Sequence, residues 1–206
     1  RRLRTASPLV RLVSTLGVLF LLVAVATEVW GEGGRPVASP LPSEPRAILG
    51  GEVVVPEFRF WLIALAIVVT AVLWLLYTRT SFGRATEAVA ENPRSAAALG
   101  ISPDTISAVN WALGSTLAAV TAILLAPILF LSVVALSFVV LRGLAAALLG
   151  GFRSFWITLA GAFGIGVVEA QLGNLYPDNP GLSRSAAFVV IVVVLVVTGR
   201  ALPLRS

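Results

Sequence analysis

Few residues in this chain can do chemistry, and their types exclude most of it. The sequence holds no histidine and no cysteine, and its cations are all arginine. That removes imidazole bases, thiol nucleophiles, reactive lysines and the usual ligands for zinc or haem. The carboxylates Glu28, Glu169 and Asp178 stand too far apart in sequence to be read as an acid–base pair. No glycine-rich loop ending in Gly-Lys-Ser/Thr is present, so this chain does not itself hydrolyse ATP. The third apolar run holds few polar groups, Asn110, Trp111, Ser115, Thr116 and Thr121, and a later run ends in the carboxylate Glu169. An ionisable group within a span is costly and by default functional; Glu169 also lies close enough to Gly173 to reach an interface. Serine and threonine often bond their own helix backbone. Asn110, Ser115 and Glu169 are therefore the candidates for lining a translocation path, and binding without covalent change is the chemistry they allow.

Such residues have to be positioned by apolar helices. Of 206 residues, 58% are apolar and 12% charged, with a mean hydropathy of +0.97. A soluble domain carries about a quarter charged residues. The composition predicts an all-α, polytopic transmembrane bundle, read as a single domain over 1–206. The net charge of +5 is spread as single arginines between apolar runs, a pattern of membrane topology rather than of nucleic-acid binding. The chain starts with Arg1 and contains no methionine, so the lack of a signal peptide carries no meaning.

Six spans are expected. The first runs from Leu12 to Trp30, long enough to cross about 30 Å of hydrocarbon at about 1.5 Å per residue. Residues 31–57, with Gly33, Gly34 and five prolines, predict an extended, turn-rich loop. Phe60 to Tyr77 is the second span, with Trp61, Trp74 and Tyr77 at belt positions. Thr105 to Ala126 is the third, punctuated by Pro127. Ile128 to Leu149 is either a full span with Arg142 in its cytoplasmic half or a shorter re-entrant helix. Phe155 to Leu172 and Ser185 to Gly199 complete the count. Ala160/Gly164 and Ala162/Gly166 are small-xxx-small pairs suited to close helix packing. Placing the N-terminus, 79–104, 142–153 and the C-terminus on one side collects Arg1, Arg2, Arg4, Arg11, Arg79, Arg84, Arg94, Arg142, Arg153, Arg200 and Arg205. The other side keeps Arg35, Arg46, Arg59 and Arg184, so the first side is expected to be cytoplasmic, with both termini. The outer loop adds Glu32, Glu44, Glu52 and Glu57.

The polar interruption from Arg79 to Asp104 is the most structured stretch outside the spans. Asn92 before Pro93 is an N-cap followed by proline at the first helical position. SAAAL (Ser95 to Leu99) favours helix, and Gly100 can end it in a left-handed turn. Ser102-Pro103-Asp104 repeats the start signal for the next span. A short, stiff helix held at both ends outside the membrane is a surface for something to press against.

Here the residues resemble a family. GRATEAVAENPRSAAALGISPDTISAVNWALGSTLA is similar to the cytoplasmic loop and following helix of branched-chain amino acid ABC transporter permeases. The matching positions are Gly83, Arg84, Ala88 to Ala90, Asn92, Pro93, Ala96, Ala97, Leu99 to Ile101, and Ala112 to Ser115. LRTASPLVRLVSTLGVLFLL, AAALLGGFRSF, GAFGIGVVEA and the ending ALPLR resemble further segments in the family's order. Val23 stands where the family usually has glutamine, and Phe155-Trp156-Ile157 where Leu-Pro-Gly is common. The family has spans ahead of the segment resembling Arg1 to Arg11, which implies that this chain is the C-terminal part of a larger permease.

The resemblance implies a subunit of an importer in the inner (cytoplasmic) membrane. Its partners would be a second permease, two ATPase subunits that hold ATP and Mg, and an extracytoplasmic binding protein; the chain itself would bind no cofactor. Pro93 to Leu99 would be the coupling helix, with Glu91, Asn92, Pro93, Arg94, Ala96, Ala97, Leu99, Gly100 and Ile101 meeting the ATPase. Ala96, Ala97 and Ala98 would allow close approach. Leucine, isoleucine and valine are the implied cargo, with urea or a short amide as the alternative. A channel or a non-transporting assembly subunit explains a capped helix between spans less well.

Overall fold

The computed structural model describes residues 7–201, except 32, 43, 49–52 and 179. Arg1, Arg2, Arg4, Glu32, Glu52, Arg205 and the tail from residue 202 lie outside the described residues. Among the described residues, eight helices and one hairpin follow in the order α1 (Pro8–Trp30), β1 (Pro45–Ile48), β2 (Val53–Pro56), α2 (Phe58–Arg79), α3 (Ser81–Glu91), α4 (Pro93–Ala98), α5 (Pro103–Leu129), α6 (Val133–Leu149), α7 (Phe155–Leu175) and α8 (Pro180–Ala201). The chain is an all-α membrane bundle. Among the described residues, four helices are long and apolar enough to cross a bilayer: α1 from Val13, α2, α5 and α7. The expected six would add α6 and α8. With 17 residues, α6 rises only about 26 Å.

The helices divide between two compact units. One contains residues 1–38 and 125–138. There Ser7 caps α1 by accepting from the Val10 amide at 3.4 Å, and Pro8 opens the helix. Pro127 does not stop α5 as expected: the helix continues through it to Leu129. Proline removes its own N–H and crowds the carbonyl four residues back, and only two further residues follow before the chain breaks. At the break Phe130 takes a φ of 59°. Leu131 pairs with Arg35 through two backbone bonds of 2.9 and 3.3 Å.

The other unit contains 39–124 and 139–206. The proline-rich loop is extended, as its composition predicts, but part of it pairs. β1 and β2 run antiparallel, with Arg46 opposite Val55 and Ala47 opposite Val54. Pro45 and Pro56 sit at the open end of the ladder, where a missing N–H costs least. The helical core is built from small residues. Ala145 and Ala146 of α6, Ile165 of α7 and Ala187 of α8 are buried together, with Val190 and Ile191 against them. In lipid, small side chains let helices approach until dispersion contacts hold them.

α3 and its position on α2 were not expected. Thr80 caps it through the Gly83 amide at 3.4 Å, and Phe82, Ala85 and Val89 repeat at helical spacing. Gly83 is buried where α3 crosses the end of α2. A methyl group there would lie 1.9 Å from the Tyr77 carbonyl oxygen and 2.4 Å from its carbon. Backbone cannot give way as a side chain can. Replacing Gly83 by alanine should therefore destabilise the protein by about 1–3 kcal/mol through overpacking, against the gain of up to about 1 kcal/mol that helix propensity alone assigns. Gly17 in α1 has nothing within 4 Å of the same methyl position. Melting curves in detergent should show G83A below the parent and G17A at or above it.

Candidate functional site

The short helix forms as its sequence dictates. The Asn92 side chain accepts from the Arg94 and Ser95 amides at 3.0 and 3.1 Å, and Pro93 occupies the first turn, where an amide hydrogen would be spare. At the other end Gly100 takes a φ of 83°. Its amide donates to the Ala97 carbonyl, and the Ile101 amide donates to the Ala96 carbonyl, both at 3.0 Å. This double reversal satisfies the last carbonyls of α4. Two residues later Ser102 accepts from the Thr105 amide at 3.4 Å and starts α5.

The exposed face differs in one respect from expectation. Ala96 is 2% exposed and faces its own protein, so it is unavailable to a partner. Glu91, Asn92, Pro93, Arg94, Ala97, Ala98 and Gly100 are exposed, and Leu99 is 79% exposed at the tip. Ile101 turns aside. With Ile106 of α5 and Ser81, Phe82, Arg84, Ala85 and Ala88 of α3 it lines an open groove of about 670 Å³ beside α4.

Tyr77 ties this assembly to the spans. Its ring lies 5.8 Å from Phe82 of α3, edge-on, and 5.7 Å from Phe155 of α7. Its hydroxyl donates to the Asn110 carbonyl oxygen of α5. The Asn110 amide nitrogen donates to Thr86 of α3 at 3.3 Å and to the Ile106 carbonyl at 2.9 Å. Tyr77 is thus a joint between four helices. Asn110, a candidate for the translocation path, spends its amide on the same joint. Ser115 of α5 is exposed, and Thr116 and Thr121 bond back to Ala112 and Leu117 at 2.8 Å each.

Glu169 has a partner that sequence separation hid. Both of its carboxylate oxygens accept from Arg142 Nε at 3.0 Å. Arg142 lies inside α6, not in a loop, so it leaves the count of topology-marking arginines. It precedes Ala145 and Ala146 by three and four residues, on the face turned to the small-residue core. The signal in the sequence was one opposite charge in each of two consecutive apolar runs, Arg142 beside small residues and Glu169 beside Gly166. Among the described residues, no group of three or more acids forms a metal site.

A family model described as "Branched-chain amino acid transport system / permease component" matches residues 4–197. The chain is similar to the high-affinity branched-chain amino acid transport system permease protein LivH of Salmonella typhimurium, with 28% identity over 211 residues. It is 26% identical to the LivH protein of Escherichia coli K12 over the same length. Each alignment covers 97% of this chain and 66% of the relative. The BraD permease protein of Pseudomonas aeruginosa is 28% identical over 201 residues, 95% of this chain and 64% of its own. The chain therefore spans slightly less than two thirds of the curated relatives it matches. No solved structure matches it.

The Asn92 cap is open to direct test. Removing a capping side chain costs about 1 kcal/mol. Hydrogen exchange of the N92A variant should run about fivefold faster at the Arg94 and Ser95 amides, with amides in the middle of α2 unchanged.

Proposed function

The chain belongs to the family of permease components of branched-chain amino acid transport systems, and on that premise we propose that it is the span-forming part of an ABC importer subunit. In this reading it passes leucine, isoleucine or valine, released by an extracytoplasmic binding protein, across the inner membrane. Two ATPase subunits, carrying ATP and Mg, close beneath it and beneath a second permease. The chain itself makes and breaks no covalent bond.

The observation that carries the proposal is the joint at α4. A six-residue helix is marginal alone in water, yet both its ends are fixed by capping bonds. It is fastened to α3, and α3 is fastened to α2 and α5 through Gly83, Thr86 and Asn110. A push on Leu99, Ala97 or Ala98 is then handed to span ends and is not absorbed by a loop. Alternating access requires such a connection between ATPase closure and helix movement. Arg79, Arg84 and Arg94 surround this end of the spans, which favours a cytoplasmic position. Arg153 and the N-terminal arginines agree without Arg142.

A bulky charge at Ala97 should block docking without disturbing insertion, because Ala97 is exposed and its methyl faces away from the fold. The full-length permease would be co-expressed with its second permease and ATPases and compared with the A97R variant. Loss of both ATPase co-purification and leucine uptake, with membrane insertion unchanged, is expected. Retention of the ATPase would remove the coupling role from 93–99. Coupling with uptake of urea and not of leucine would move the cargo to an amide, and ATPase retention with no uptake of either would favour an assembly subunit.

A further inference from the structure

The Arg142–Glu169 pair is unexplained by anything the joint at α4 requires. One turn away, α6, α7 and α8 are already held by Ala145, Ala146, Ile165 and Ala187, an apolar contact that needs no charge. An ion pair taken even partly out of water is often no more stabilising than well-packed hydrophobic residues of the same volume. Charges inside membrane helices mark sites of function.

The geometry of the pair matters. Glu169 uses Nε alone, with both oxygens at 3.0 Å. Among the described residues, neither terminal guanidinium nitrogen has a hydrogen-bond partner. The two side chains are 38% and 18% exposed, so neither is sealed inside the packing. Gly166, three residues before Glu169 and flanking it on α7, has nothing within 4 Å of where a side chain would begin.

We propose that Arg142 and Glu169 form a binding station for a zwitterionic amino acid, a reading that rests on the transport function above. The substrate carboxylate takes the terminal N–H groups of Arg142, which suit a planar, paired acceptor. The substrate ammonium takes a Glu169 oxygen. The Arg142–Glu169 contact through Nε stays in place, and four charges of alternating sign close a ring. No net charge enters the apolar region, because the pair and the zwitterion are each neutral. A lone arginine or a lone glutamate would leave one charge uncompensated there.

The test uses the full-length permease assembled in proteoliposomes with its second permease, ATPases and binding protein, and reads radiolabelled leucine uptake. R142K keeps a cation opposite Glu169 but loses the planar edge, and R142L/E169L replaces the pair with apolar packing. The station requires both variants to assemble and melt like the native complex while uptake falls about tenfold or more. Native uptake by either variant overturns the station. If R142L/E169L fails to assemble, R142K decides alone, and failure of both to assemble assigns the pair to structure only and overturns it equally. Absence of leucine uptake by the native complex overturns the amino-acid reading itself, and with it the zwitterion as ligand.

Discussion

Inside hydrocarbon a polar side chain has no water to fall back on, and this constraint governs where the chain can place every group that is not apolar. Among the described residues, no buried side-chain nitrogen or oxygen lacks a partner. The satisfied groups fall into three kinds. Thr27, Thr78, Thr116, Thr121 and Ser137 return their hydroxyls to a carbonyl four residues back, which binds nothing else together. Asn110 bonds outward and joins α5 to α2 and α3. Arg142 and Glu169 bond each other and join α6 to α7. Only the last two kinds relate one helix to another, adding directional contacts to a packing that dispersion already holds.

That distinction separates what could be read in the sequence from what could not. The ends of α4 were legible because capping is local: Asn92-Pro93 and Gly100 act within a few residues, and the bonds they make depend on little else. The spans were legible because their length and apolarity are local sums. α3 is harder to read: Phe82, Ala85 and Val89 carry its period, but the segment between them is polar and masks it. The place of Gly83 followed from nothing local. Its missing side chain is required by the Tyr77 backbone six residues earlier, across a corner whose angle only the fold sets. β1 and β2 were legible as extended chain but not as a pair, since pairing depends on register across residues 49–52.

The functional residues divide the same way. Asn110, Ser115 and Glu169 share one property in sequence, a polar group in an apolar run, and that property does not tell them apart. The structure gives them unlike surroundings. Asn110 makes three hydrogen bonds at the joint, Ser115 is exposed, and Glu169 meets a cation 27 residues earlier. Tyr77 had been placed by composition at an interface, where aromatic rings with a polar tip gather. The same chemistry, an apolar ring with one hydroxyl, serves equally to join four helices when Asn110 stands within reach. Residue type thus narrowed the candidates, and neighbours across the bundle decided among them.

The two kinds of joint also differ in how they can move. At the α2–α3–α5 end, ring contacts, a buried glycine and a chain of hydrogen bonds act on the same few residues, so displacing one helix strains several contacts at once. Between α6, α7 and α8 the buried contacts are alanine methyls and one isoleucine. Small side chains interlock shallowly, and sliding along them forfeits little dispersion energy per step. On the transport reading proposed above, force arrives through the stiff joint and the helices yield where packing is shallow. The Arg142–Glu169 pair at that second place joins α6 to α7 through one N–H shared by two carboxylate oxygens, a polar link added to a contact that is otherwise dispersion alone.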